Sequence, residues 1–319
     1  MESCSLSMSL DIDEMEPEWL PMMDLQASDI EASPNATVLP LFPLGSFVYT
    51  PHSEHRLNIF EPRYRALYND ILFSGFAAVA SVFYLKDLKE VSAATNDAVK
   101  YICDHEVIGR IRIKKVLNPK VWEDRSTYLK VEAEYIEDKE EPEGSTRLAD
   151  MPDSMPELEK KLVLTYNDLV QLQHEMNEDV KFTKESVDKF KIAKGQEVWS
   201  AVEMWQVFQQ QRLLARQQEM QKEFQAKLLA YLIKEKGMGG LPNAIDINEL
   251  PANLQQEVRS LQARMQDDLQ PLAERDMMDM QLLIECDSHS RRLELMDAML
   301  TKERKRLETK KTLKSLFNK

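Results

Sequence analysis

Two short clusters in this 319-residue chain bring a thiol and an imidazole close together: Cys103-Asp104-His105 and Cys286-Asp287-Ser288-His289. Together they offer two thiols and two imidazoles, the ligand count of a tetrahedral zinc site. The spacing argues against zinc. A one-residue gap within a strand turns Cys103 and His105 to the same face, and zinc ligands usually stand farther apart. The plainer expectation is one buried thiol per element, with both histidines near the surface and no metal. The five histidines, at 52, 55, 105, 174 and 289, are scattered and assemble no nucleophile–base constellation. No Gly-x-x-x-x-Gly-Lys-[Ser/Thr] run occurs, so no phosphate cradle for ATP is encoded. No catalytic residue and no cofactor is expected, and the chain reads as non-enzymatic.

Charge narrows the partners. The net charge of −14 is concentrated in residues 1–36, which hold nine acidic side chains and no lysine or arginine. The C-terminal stretch Lys302–Lys319 reverses the sign, with eight basic and two acidic residues. No aromatic residue interleaves with those bases before Phe317, so base stacking has no support and no nucleic-acid partner is expected. The simpler role is to complement the helix dipole and keep the tip soluble. A contact between this basic end and the acidic tail would be weak and screened by salt. No run of about 18 apolar residues exists, so no membrane-spanning helix is expected. Three cysteines, odd in number and far apart, fit a reducing intracellular compartment. Met1 to Ala36 begins neither basic nor Arg-rich, so the expected location is cytoplasmic, or plastid or mitochondrial if a presequence precedes Met1.

The elements that would position such residues fall into four stretches. Residues 1–36 read as a disordered acidic tail, because ordering them costs about 1–2 kcal/mol per residue with no periodic face to offset it. The alternative is a short docking peptide built on Trp19, Leu20, Met22 and Met23. Residues 37–140 read as β-structure. Leu39-Pro40-Leu41-Phe42-Pro43 must be extended, and its prolines confine it to a sheet edge or strand end. Ile111–Lys114 and Leu129–Tyr135 alternate apolar and charged residues, as half-buried strands do, with Arg110 and Lys114 on the polar face. Ala77–Leu85 is more uniformly apolar and reads as a central strand.

Residues 141–180 read as a linker with a short helix, and 181–317 as a helical domain. Val198, Val202, Trp205, Phe208, Met220, Phe224, Leu228 and Tyr231 repeat at three or four, until Gly237, Gly239, Gly240 and Pro242 stop the helix. Two further series follow, Leu254 to Leu272 and Leu283 to Leu307, giving amphipathic helices that pack as antiparallel neighbours. The fold class is therefore α+β, strands first and helices afterward.

Leu39-Pro-Leu-Phe-Pro-Leu-Gly45 followed by Ile59-Phe-Glu-Pro-Arg-Tyr64 resembles the opening of the Lon substrate-binding domain, the N-terminal domain of Lon proteases. Val107-Ile-Gly-Arg-Ile-Arg-Ile113 is similar to that family's later Gly-Arg strand. Leu282-Leu283, Asp287, Arg292, Leu295, Leu300 and Glu303 follow the spacing of its closing helices. The resemblance implies a small PUA-like antiparallel β-barrel followed by an α-helical bundle. One departure is that Phe73-Ser74-Gly75-Phe76 runs straight into Ala77-Ala78-Val79, where the family usually carries another strand and loop. A barrel lacking that strand has an unprotected edge.

The resemblance also implies a receiver of unfolded or client polypeptides, working with a separate ATP-dependent protease or a complex subunit. Such a module needs adaptable apolar contact surface. The candidates are Phe42, Phe47, Tyr49 and Phe60 on the β side, and Met277 and Met280 among the methionines of the rear half. Phe42 and Phe60 fit equally as core anchors, and the methionines as bundle filling. Glu61, Pro62, Arg63 and Tyr64 read as a structural motif, with Pro62 setting the first turn of a helix. The rival class is a structural subunit that uses its long C-terminal helices for assembly.

Overall fold

The computed structural model describes residues 10, 12–21, 24, 27–41, 48–59, 78–96, 99–121, 128–139, 155–236 and 252–317. After a single 3-10 turn, Ile12–Glu14, come β1 (Thr37–Leu41), β2 (Glu54–Ile59), β3 (Val79–Glu90), the one-turn α1 (Ser92–Thr95), β4 (Tyr101–Val116) and β5 (Leu129–Tyr135). Helices follow: α2 (Met155–Glu175), α3 (Ser186–Lys189), α4 (Gln196–Lys236), α5 (Ala252–Glu285) and α6 (His289–Phe317). The chain is α+β, with a five-stranded antiparallel sheet in front of the helices. Phe42, Phe47, Phe60, the Glu61-Pro62-Arg63-Tyr64 motif and the Gly75 junction lie outside the described residues.

β4 organises the sheet. Along one side it pairs with β3, and along the other first with β2 and then with β5, which in turn carries β1. Pro40 lies opposite Lys130 in β1, a strand that pairs with β5 alone among the described strands. A residue without an amide hydrogen belongs on such an edge. In β5, Leu129, Val131 and Ala133 are buried while Lys130 and Glu134 are exposed, the alternation expected of a half-buried strand. With Ile113 and Val116 of β4, Leu129 and Val131 form a small core under the sheet.

Two strand expectations need correction. β3 is not central: among the described strands it pairs only with β4, and Tyr84, Leu85 and Leu88 are exposed along it. Arg110 is not on a solvated face, since it is 4% exposed. The cause is cover. A bulge leaves Ile108 extra between the Val82–Gly109 and Phe83–Val107 pairs, and Ile111 and Ile113 stay buried as expected, but the other face, which carries Arg110, is itself covered by the helices. Arg110 and Arg112 both find partners there, in the α5 C-terminal turn and the residues just after it.

The helical region begins at Met155, so residues 155–175 form no linker. α2 has 21 residues and packs along α6 through Leu162, Tyr166 and Leu169, all at most 1% exposed. Thr165 donates to Asp297 at 2.7 Å across the same interface. Basic residues of α6 meet acids at the end of α2 and just beyond: Arg304 with Asp168, Lys310 with Glu178, and Lys311 with Glu175. The C-terminal cations are thus largely paired rather than simply solvated. α2 ends near Asn177, which adopts the left-handed region (φ 50°) that a helix C-terminus uses. α4 and α5 run side by side, tied by Arg212–Asp276, Arg216–Asp268 and Arg264–Glu223. Leu283, expected to open the last helix, belongs to α5. Ser288 interrupts the chain before α6, its hydroxyl accepting from the Arg291 amide at 3.5 Å as a helix cap does.

Candidate polypeptide-binding site

The sheet meets the helices at a buried pair of guanidinium groups. Arg110 of β4 donates to the carbonyls of Ile284 (2.6 Å) and Cys286 (2.7 Å), and to Asp138 at 2.7 Å. Arg292 of α6 is fully buried and holds the same Asp138 carboxylate through both oxygens, at 2.6 and 3.2 Å. The two guanidinium groups lie 5.0 and 4.3 Å from the ring of Trp199 on α4. Like charges this close are tolerated because one carboxylate, three carbonyl contacts and an aromatic ring neutralise them. Burial raises the Asp138 carboxyl pKa, but Arg292 and Arg110 outweigh it, and the net shift is downward. Gly109-Arg110 and Arg292, which sit in separate motifs of the sequence, meet here as a structural lock.

The same region separates the two halves of the zinc-like pattern. Cys103 and His105 lie at the β2 end of β4, while Cys286 and His289 flank the α5–α6 break. Among the described residues no group of three or more His, Cys, Asp or Glu could hold a metal. His289 is 3% exposed, not near the surface as expected, because α6 begins under the sheet–helix junction. His105 instead joins a ring cluster missed from the sequence, in which Phe83 meets Tyr49 at 5.0 Å and His105 at 5.6 Å, and Tyr49 meets His55 at 4.6 Å. Burial pushes both histidines down and the Tyr49 hydroxyl up.

Tyr49 is therefore a half-buried packing residue whose carbonyl accepts from the Ser81 hydroxyl, not a free contact surface. Met280 is 2% exposed in the helical core and cannot touch a client without unfolding. Met277, 39% exposed, keeps an accessible face. The structure does not gather these candidates into one site. A shallow cavity of about 500 Å³ between α2 and α3, lined by Val170, His174 and Val187 among others, contains none of them.

What the structure does show is the protein holding a segment of its own. Residue 10 and residues 12–20, part of the stretch expected to be a disordered tail, lie across both cores. Ile12 is 3% exposed in the helical core, with Leu10 and Met15 packed against it, and Leu20 packs on the small core under the sheet. Arg275 of α5 donates to the carbonyls of Ile12 and Asp13, and Lys302 of α6 pairs with Asp13. Farther on, the Glu18 amide donates to Glu285 at 3.0 Å, its carbonyl accepts from the Ala78 amide at 2.8 Å, and its carboxylate meets Arg112. The Ile30 amide donates to the Leu117 carbonyl at 2.7 Å. Two of the acids that composition reads as a solvated tail, Asp13 and Glu18, are thus partners for cations on β4, α5 and α6. An isolated isoleucine among acids gives no periodic signal, so sequence reasoning passed over Ile12.

Behind this contact lies Asp279, 5% exposed and 2.9 Å from Arg275. Burial, opposed by Arg275 and Lys302, pushes its carboxyl from 3.8 up to about 6. A pKa raised by folding means the neutral form is favoured, so its stabilisation is present below 3.8 and lost as pH rises through about 6. Asp279→Asn is expected to be more stable than the parent above that window, by at most about 3 kcal/mol. The gap should close near pH 4, as urea melts at the two pH values would show. A variant less stable than the parent at neutral pH contradicts the assignment.

No family model matches the chain, and no curated protein matches it. Among solved structures the chain is similar to the crystal structure of a Lon N-terminal domain protein from Xanthomonas campestris. The sequences are 26% identical over 36% of this chain and 73% of that one, with a TM-score of 0.22. A superposition that loose does not establish a shared fold. Among the described residues, no helix is long and apolar enough to cross a membrane.

Proposed function

We propose that this chain is a non-catalytic polypeptide-recognition or adaptor module of the Lon substrate-binding type, acting in protein quality control or regulated proteolysis. The observation that supports it is the held N-terminal segment. Side chains of β4, α5 and α6 and the Ala78 amide before β3 grip a peptide through its carbonyls, an amide, one aliphatic anchor and two of its acids. A surface that reads main-chain groups in this way suits ligands of varied sequence. The motifs that resemble the Lon substrate-binding domain favour the same reading. It implies client polypeptides as ligands, a separate ATP-dependent protease or complex subunit as partner, and no chemistry of its own.

The test is capture of a reduced, carboxymethylated protein that cannot fold, compared with its native form. Retention of the unfolded form alone is expected. Equal retention of both, or of neither, overturns the reading.

A second reading, assembly through the long helices, has its own support. Beyond Arg212 and Asp276, α4 and α5 bury Met220, Leu228 and Leu261, whereas Leu214 and Ile233 stay exposed. Light scattering that reports a stable oligomer, lost on Leu214→Glu and Ile233→Glu together, would favour it.

A further inference from the structure

We infer that the place on α5 and α6 now holding residues 12–15 is a binding site for short acidic peptides with a branched aliphatic anchor, and that this chain's own segment is an exchangeable occupant. The inference specifies a ligand within the polypeptide-recognition reading and rests on it. Three features define the chemistry. The anchor is a single side chain, Ile12, sunk into the helical core between the flanking Leu10 and Met15. Arg275 reads the peptide's main chain, donating to two successive carbonyls, and its Nε lies 4.0 Å from the Asp13 carboxylate. Lys302 selects an acid directly after the anchor. The neighbouring carboxylates do not compete for that lysine through direct pairs. Glu303 is held by Arg212 at 2.6 Å and Arg306 at 2.7 Å, Asp276 faces Arg212 at 3.7 Å, and Asp279 faces Arg275.

The hold is of a kind that exchanges. The turn has three residues, Asp13 and Glu14 are exposed, and exposed ion pairs contribute little in salt. A covalent tether supplies what the contact lacks, since a segment on a short linker sees its site at an effective concentration near millimolar. An untethered peptide of the same pattern must therefore compete with the resident segment.

The probe is a fluorescein-labelled synthetic peptide of residues 7–20, followed by anisotropy. It is offered to the full chain and to the Ile12→Asp variant, whose segment should leave the site while the chain stays whole. The variant is expected to bind the peptide at least tenfold more tightly than the parent. Adding Arg275→Ala to the variant should weaken binding about tenfold, and a scrambled peptide should not bind. Circular dichroism melts confirm that each variant is folded. Equal binding by a folded variant and the parent overturns the inference, as does indifference to Arg275→Ala. Capture of the unfolded carboxymethylated protein without uptake of the labelled peptide also overturns it and leaves the broader function standing. Uptake of the peptide without that capture supports the site and removes the quality-control reading.

Discussion

Arg292→Ala is expected to lower the stability of the folded chain by about 3–5 kcal/mol, because it strips one side of a buried charge cluster. The guanidinium is fully buried, bonds both oxygens of Asp138 and the Cys286 carbonyl, and covers the Trp199 ring. Its removal leaves Asp138 dependent on Arg110 and opens a void beside Trp199. Asp138→Asn should cost less, about 1–2 kcal/mol, because its side chain is 40% exposed and water can replace part of the loss. Asp138 also sets an acid limit. Its folded pKa is depressed, so the stability it contributes is present above 3.8 and is lost as pH falls through the folded value. Urea denaturation of the parent and both variants, at neutral pH and in acid, measures all of this. A loss below about 1 kcal/mol for Arg292→Ala would show that the sheet–helix junction does not depend on the cluster.

Tyr166→Ala should be as damaging, at about 3–5 kcal/mol, the usual cost of deleting a buried aromatic ring. The ring stacks on Phe190 at 4.0 Å and meets Phe182 edge-on at 5.0 Å. Burial pushes its hydroxyl up to about 12, so it stays protonated, 2.7 Å from Ser186 and donating to the Met204 sulfur. Tyr166→Phe keeps the stack and should cost about 1 kcal/mol. The pair of melts separates ring from hydroxyl, and it tests whether α2 belongs to the helical core. Residues in a linker would tolerate both changes.

Some of this architecture could be read directly. Pro40 placed its strand at an edge, and the alternation from Leu129 to Tyr135 gave a half-buried strand, because both follow from local stereochemistry. The spacing of Val198, Val202, Trp205 and Phe208 gave the buried face of α4 for the same reason. α2 was legible but missed: Leu158, Leu162, Tyr166, Leu169 and Leu172 recur at helical spacing, obscured by the acids and prolines just before them. Arg110 was not legible. Its alternation with Ile111 and Ile113 holds, but whether the charged face meets water or the α5–α6 break is decided by elements far along the chain. The site was harder still. Tyr49 and Met280 have the right chemistry for a client surface, but exposure depends on which elements cover them. Ile12, which the structure buries, looks like a solvated residue between aspartates.

The contact between Asp13 and Lys302 spans 289 positions. During synthesis at roughly 5–20 residues per second, residue 13 emerges about 15 to 60 s before its partner exists. Every other described element has been made by then except the last part of α6. For that interval the acidic segment is an open peptide attached to an unfinished receiver, and its docking waits for α6. The occupied site is thus a mark that α6 has been made.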